Sequence, residues 1–280
     1  MGSMRRLFPF LLVLSSAISS VAGTPDFRIR PVPGGKHTVF RKQFTQHIDV
    51  FGVHLFGTAG TPPGKLRHAA IIMAEYLDND EDGKPDNPEV LATMLKRNAF
   101  LVMAENERAM DRLDHDIFQE AGFHHGQGQF ATETNPGGRR FDATLEEVLH
   151  LITHEGYANT YPEIFGERPG TALAKCLDRA RGGHFRRVPR RYPGGAWFTY
   201  NDRSCDYGCQ CTEYLYWAIT SVLGAQKAVH RREDIAHEWR LYSRELVSKG
   251  DPGIYRLITN PKYRFPTKLP DGVYQGSKKK

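Results

Sequence analysis

Acidic side chains recur at alternate positions in one short stretch of the chain, which runs from residue 78 to residue 89. Calcium is a hard cation that binds about six to eight oxygen atoms, and a chain that wraps around the ion supplies them at alternate positions. A glycine lies where such a loop must turn sharply, at residue 83. We therefore predict a calcium site built from the carboxylates of Asp78, Asp80, Asp82, Asp86 and Glu89 and the backbone carbonyl of Lys84.

This segment resembles the calcium loop of EF-hand proteins, which implies a helix on each side of it. It departs from the EF-hand pattern at Pro85, where those loops usually carry an aliphatic residue whose backbone pairs with a partner loop. Proline has no N–H to donate, and the sequence contains no second loop of this kind. The resemblance therefore implies a structural calcium clip of the extracellular affinity class, about 10⁻⁴–10⁻³ M, rather than a sensor.

Two histidines four residues apart, His150 and His154, lie on one face of a predicted helix over residues 145–159. The apolar residues of this helix form a stripe on the opposite face. Imidazoles at positions i and i+4 can both reach one zinc ion. A third ligand could come from Glu213, a carboxylate in an otherwise apolar predicted helix, although an Arg or a Tyr hydroxyl could also be its partner.

The order of these elements resembles the gluzincin class of zinc metallopeptidases: a strand, a helix with His-x-x-x-His, and a later helix that supplies a Glu. The resemblance implies hydrolysis by a metal-bound water, with a nearby Glu as general base. It departs at Leu151 and Thr153, because zinc peptidases carry the catalytic Glu at one of these two positions. The carboxylate on the metal-facing side is Glu147, which we predict as the base, and Tyr157 or Tyr161 could stabilise the oxyanion.

The same residues also have structural interpretations. Thr144 and Glu147 have the spacing of a capping box, so Glu147 could serve only the start of the helix. His150 and His154 could occupy a solvated polar face. Glu213 could favour the positive end of its own helix.

Six arginines lie in a Gly- and Pro-containing segment, residues 179–191, which is typical of a loop. A solvated surface loop is the simplest interpretation. A contact surface for anionic glycans or membranes is a second, and a processing site at paired arginines is a third. The six are Arg179, Arg181, Arg186, Arg187, Arg190 and Arg191.

The predicted elements place strands early in the chain and helices later. Alternating apolar residues predict strands over residues 38–57, and further strands are predicted at 99–103 and 123–134. Helices are predicted on both sides of the acidic loop, and more follow the histidine helix at residues 172–180, 210–223, 234–248 and 252–259. The order predicts an α+β fold with a small sheet followed by a mainly helical half that carries the histidine helix.

The first 22 residues have the features of a secretory signal peptide, with Arg5 and Arg6 before an apolar run and a small-residue exit. The run is too short to cross a bilayer of about 30 Å, and no later segment predicts a transmembrane span. Residues 23–280 are therefore expected to form a single secreted globular domain. Its cysteines predict two disulfides, with the pairing left open among Cys176, Cys205, Cys209 and Cys211.

These features predict a secreted calcium-binding protein with a zinc-dependent, peptidase-like site that acts on a peptide or protein. The alternative is a non-enzymatic, calcium-stabilised extracellular binding protein that contacts glycans or surfaces through its arginine-rich segment. The sequence has no phosphate loop or dinucleotide fingerprint, and we expect no nucleic-acid partner.

Overall fold

A computed structural model describes residues 24–276 of the chain. The predicted signal peptide, residues 1–22, lies outside the described residues. Within them, no helix is both long enough and apolar enough to pass through a bilayer.

A four-stranded sheet forms the first half of the fold, in the order β1-β2-β3-β4. The strands are β1 (Gln46–Val50), β2 (Val53–Gly57), β3 (Phe100–Ala104) and β4 (Gly126–Phe130). β1 and β2 form an antiparallel hairpin, whereas β2–β3 and β3–β4 are parallel pairs. Parallel neighbours need crossover connections, which helices provide here. The predicted strand over residues 38–57 is partly wrong, because Gly35–Lys42 forms a 3₁₀ helix before β1 begins.

The crossover from β2 to β3 contains α1 (Pro63–Leu77), the acidic loop and α2 (Pro88–Lys96). Two short helices, α3 (Glu107–Met110) and α4 (Asp116–Glu120), lie between β3 and β4. Side chains alternate across each strand, so each face of the sheet has its own core. Leu55 and Leu101 belong to the main core shared with the helices, whereas Phe56 and Phe100 belong to a phenylalanine-rich cluster on the other face.

The second half of the chain is helical, which confirms the predicted α+β class. Its central helix is α8 (Tyr207–Leu223), which is largely buried and capped by the Asp206 side chain. The histidine helix begins as α5 (Thr144–Leu151), continues as a π-helical turn (Ile152–Tyr157), and ends as α6 (Ala158–Thr160). The other helices are α7 (Ala172–Ala180), α9 (Val229–Ile235), α10 (Arg244–Gly250) and α11 (Pro252–Ile258).

One disulfide, Cys205–Cys209, joins the chain before α8 to the first turn of that helix, with a Cα–Cα distance of 5.3 Å. Cys176 and Cys211 are buried free thiols, so the prediction of two disulfides is wrong for the described residues. Cys209 and Cys211 are about 200° apart around a helix of 3.6 residues per turn. Cys211 therefore faces the core while Cys209 can reach Cys205.

Candidate metal centres

The structure brings His150 together with two carboxylates from two helices. Glu146 lies one turn before His150 on α5, and Glu213 lies on α8. One ligand atom from each of the three residues lies within 4.8 Å of the other two. His150 Nε2 is 3.6 Å from Glu213 Oε2, and it is buried without a hydrogen-bond partner. We call Glu146, His150 and Glu213 the His150 group.

The carboxylates of the His150 group are held from outside by tyrosine hydroxyls. The Tyr216 hydroxyl bonds to Glu146, and the Tyr200 hydroxyl bonds to Glu213. Tyr216 in turn accepts from Arg231 Nη2 at 3.3 Å, and its ring packs edge-on against the His150 ring. Such outer partners fix the direction of ligand side chains at metal sites.

Electrostatics in the His150 group favour a cation. Burial opposes protonation of His150, but Glu213, Glu147 and Glu146 outweigh it and raise the pKa of the imidazole to about 9. Burial raises the pKa of Glu146 to about 7, and it also raises the pKa of Glu213. Crowded, buried carboxylates resist a shared negative charge, so either protons or a metal ion must compensate for it.

Glu146 was not among the residues predicted from the sequence for this group. The signal was present, because Glu146 precedes His150 by the same four residues that separate His150 from His154. Both spacings place side chains on one face of a regular α-helix. In this geometry Glu146, rather than His154, is the neighbour of His150 from the same helix.

The π-helical turn directs His154 elsewhere. A π turn closes hydrogen bonds from i to i+5, so each residue after Leu151 is rotated away from its α-helical position. His154 is 54% exposed, and its Nδ1 is 2.5 Å from Glu167 Oε2. Its Nε2 lies 3.5 Å from Glu155, a buried carboxylate that also pairs with Arg97. The Glu167 contact, with Glu155 adding to it, raises the pKa of His154.

Of the two remaining predicted site residues on this helix, Glu147 lies beside the His150 group and Tyr157 lies away from it. Glu147 stays beside the His150 group, with its Oε2 3.8 Å from His150 Nδ1, and it accepts from Gln127 Nε2 at 2.5 Å. Tyr157 is buried and donates to the Arg264 carbonyl at 3.0 Å. The Tyr157 hydroxyl is thus engaged on the side of the acidic loop rather than at His150.

The acidic loop brings Asp78, Asp80 and Asp86 together, with one carboxylate oxygen of each within 4.8 Å of the others. Gly83 has φ +88°, the left-handed conformation that the sharp turn of such a loop requires. The backbone amides of Asp82 and Gly83 donate to Asp78 at 3.1 and 2.9 Å. The chain therefore curls around the carboxylate that begins the loop.

Residues at the end of the acidic loop have further roles. The Asn87 side chain caps α2 by accepting from the Val90 amide at 3.2 Å. Glu89 lies in the first turn of α2, and its Oε2 accepts from the Tyr161 hydroxyl at 3.2 Å. The Lys84 side chain is exposed and approaches Asp82 at 3.9 Å. Ligation by Asp82, by Glu89 and by the Lys84 carbonyl stays a prediction.

The C-terminal segment closes over the acidic loop. The Tyr274 hydroxyl donates to Asp78, and the Gln275 amide donates to Glu81 at 2.9 Å. The Asn79 side chain accepts from the Lys268 amide at 2.9 Å. Burial raises the pKa values of Asp78 and Asp86, so in the absence of a cation both carboxylates are destabilised as anions.

Comparisons of the chain with protein-family models, with curated proteins and with solved structures find no match. The geometry alone therefore defines the class. It is an α+β protein with two groups of acidic and histidine side chains that could hold a metal ion.

Proposed function

We propose that this chain is a secreted, calcium-stabilised, zinc-dependent hydrolase that acts on peptide bonds. Its reaction centre is the His150 group, with Glu146, His150 and Glu213 as the three protein ligands. The observation that carries the proposal is the buried His150 Nε2, which has no hydrogen-bond partner and faces the Glu213 carboxylate at 3.6 Å.

The donor set suits zinc, which binds imidazole nitrogen and carboxylate oxygen at about 2.0–2.2 Å. Ligand atoms at that distance in a tetrahedral shell lie roughly 3.3–3.6 Å apart. The separation of 3.6 Å between His150 Nε2 and Glu213 Oε2 therefore already suits two ligands of one ion. Three protein ligands leave a fourth position open, which is the arrangement of catalytic rather than structural zinc sites.

Glu147 is the residue we propose as general base. A bound zinc ion would supply Lewis acidity and lower the pKa of a coordinated water. Glu147 borders the group and is 27% exposed, compared with 12% for Glu213, so it lies on the more accessible side. Its hydrogen bond to Gln127 fixes one carboxylate oxygen and leaves the other able to accept a proton.

The proposed calcium ion acts at a different place and in a different way. It would join the ends of α1 and α2 and the C-terminal segment, which meet at the acidic loop. Its contribution is therefore to stability rather than to the reaction.

The test combines metal content with activity. His150→Gln should lower the zinc content of purified protein from about one equivalent to near zero, whereas His154→Gln should leave it unchanged. Glu147→Gln should retain zinc but lose about 10²–10⁴-fold in peptidase activity, which is the usual contribution of a general base.

Thermal melting of each variant controls for folding. Equal zinc content in wild type and His150→Gln would refute the metal site. Zinc bound by His150 together with unchanged peptide cleavage in Glu147→Gln would instead refute the assignment of the base.

A further inference from the structure

The arginine-rich segment is a closed loop with a defined base. Residues 181–196 leave the end of α7 and return to it, because the Trp197 and Phe198 amides both donate to the Ala180 carbonyl, at 3.0 and 3.3 Å. A compact surface loop of about 6–16 residues whose ends meet is an Ω-loop, a kind of loop that is frequently functional. We call residues 181–196 the arginine loop.

One arginine of the segment is structural. Arg181 is fully buried, pairs with Asp178 at 2.7 Å, and donates to the Phe185 carbonyl and to Gln210. Its guanidinium also lies over the Tyr207 ring at 5.1 Å. These contacts hold the start of the arginine loop against α7 and α8, so a buried guanidinium anchors the loop.

The other four arginines of the loop are exposed. They form two adjacent pairs, Arg186–Arg187 and Arg190–Arg191, separated by Val188 and Pro189. Within residues 24–276 none of the four side chains forms an ion pair or a hydrogen bond. The arginine loop contains no Asp or Glu of its own. Four exposed guanidinium groups therefore lie within six residues without an ion-pair partner, although Asp206 lies next to Arg187 in a backbone bridge, and they create a local positive potential.

We infer that the arginine loop is a binding surface for a sulfated glycan, an extended extracellular polyanion. Arginine matches planar or tetrahedral oxyanions with its fork of donors better than lysine does. Two arginine pairs separated by two residues would bind successive anionic groups along such a chain. The proposal rests on the arginine loop alone and does not depend on the metal site.

Two other polyanions fit the arginine loop less well. Nucleic-acid single strands need exposed aromatic rings for base stacking, but Phe185 and Tyr192 pack against each other with ring centroids 5.8 Å apart. Membrane surfaces are usually met by apolar residues as well as by basic ones. The large exposed apolar side chains of the described residues, Leu95, Val229 and Val273, all lie outside the arginine loop.

The experiment compares two variants with the same change in net charge. In the loop variant Arg186, Arg187, Arg190 and Arg191 are replaced by Ala. In the control variant Ala replaces four exposed arginines from elsewhere: Arg108, Arg112, Arg139 and Arg256. Binding to a heparin fragment is measured for both variants and for wild type at several salt concentrations, together with thermal melting.

We expect the Kd of the loop variant for heparin to rise at least about fourfold above that of the control variant, because each exposed ion pair contributes a small amount. Equal weakening in both variants would overturn the inference, because net charge alone would then explain binding. Wild-type binding to single-stranded DNA or to phosphatidylserine vesicles that is tighter than binding to heparin at the same salt would also overturn it.

Discussion

Replacing Asp80 with Ala tests the calcium loop with little damage to the fold. Asp80 is exposed, and its carboxylate accepts from the Asp82 amide at 3.2 Å. Asp78 would be a poor choice, because it is fully buried and accepts from Asp82, Gly83 and Tyr274 even without an ion. Without calcium, the surface substitution at Asp80 should change the unfolding free energy by no more than about 0.5 kcal/mol.

With calcium, the Tm of wild type should rise more than the Tm of the variant. For a Kd of about 10⁻⁴–10⁻³ M, about 10 mM calcium stabilises the folded state by about 1.4–2.7 kcal/mol. In a protein of this size each kcal/mol raises Tm by about 2–4 °C, so the wild-type shift should be about 3–11 °C. A tenfold loss of affinity on removing one carboxylate lowers the stabilisation by up to about 1.4 kcal/mol. Asp80→Ala should therefore lose about half of the shift or more.

The assay is differential scanning calorimetry with and without calcium. Asp111→Ala serves as the matched control, because Asp111 is an exposed aspartate outside the loop and should keep the full shift. If Asp80→Ala kept the same calcium-dependent rise in Tm as Asp111→Ala, the ion would bind elsewhere and the loop assignment would be refuted.

Two further predictions concern stability. Burial, assisted by nearby cationic groups, lowers the pKa of His47 to about 4 and of His54 to about 3. When the pH falls, these histidines are therefore protonated at a higher pH in the unfolded chain than in the folded protein. The contribution of these two histidines to stability should be constant above about pH 6.5 and fall below it, by up to about 2 kcal/mol per histidine at about pH 5. Urea unfolding should show a shallower fall in His54→Phe, and an unchanged pH slope would contradict this. Gly156→Ala places a Cβ 2.6 Å from Val90 Cγ1 and should lower the free energy of unfolding by about 1–3 kcal/mol. Gly64 has open space around it, so Gly64→Ala should change the free energy of unfolding very little in the same assay.

Local patterns predicted most of the secondary structure correctly. The helices at residues 172–180 and 252–259 were located to within a residue or two, because apolar spacing and capping residues act over a few positions. The prediction of one helix over residues 234–248 was wrong in detail, since α9 ends at Ile235 and α10 begins at Arg244. The stretch between them packs through Trp239, whose indole N–H donates to Ser221 at 2.8 Å. That long-range contact has no signal in the local pattern.

The π-helical turn accounts for the difference between the predicted and the observed neighbours of His150. Spacing arguments assume a regular α-helix, in which His150 and His154 share a face. Gly156 lies at the contact with α2, where Val90 and Met94 leave no room for a side chain. This close packing of α2 accompanies the π turn, which turns His154 toward Glu167 and leaves Glu146 as the neighbour of His150.

By itself the sequence determined the α+β order of elements and the acidic loop, whose chemistry lies within twelve consecutive residues. It also indicated that His150 and Glu213 could share one site, although they are distant in the chain. Only the tertiary structure decided which side chains meet. The π turn, the packing of α8 against α5 and the tyrosine hydroxyls on Glu146 and Glu213 depend on contacts between elements, and local periodicity carries no record of those contacts.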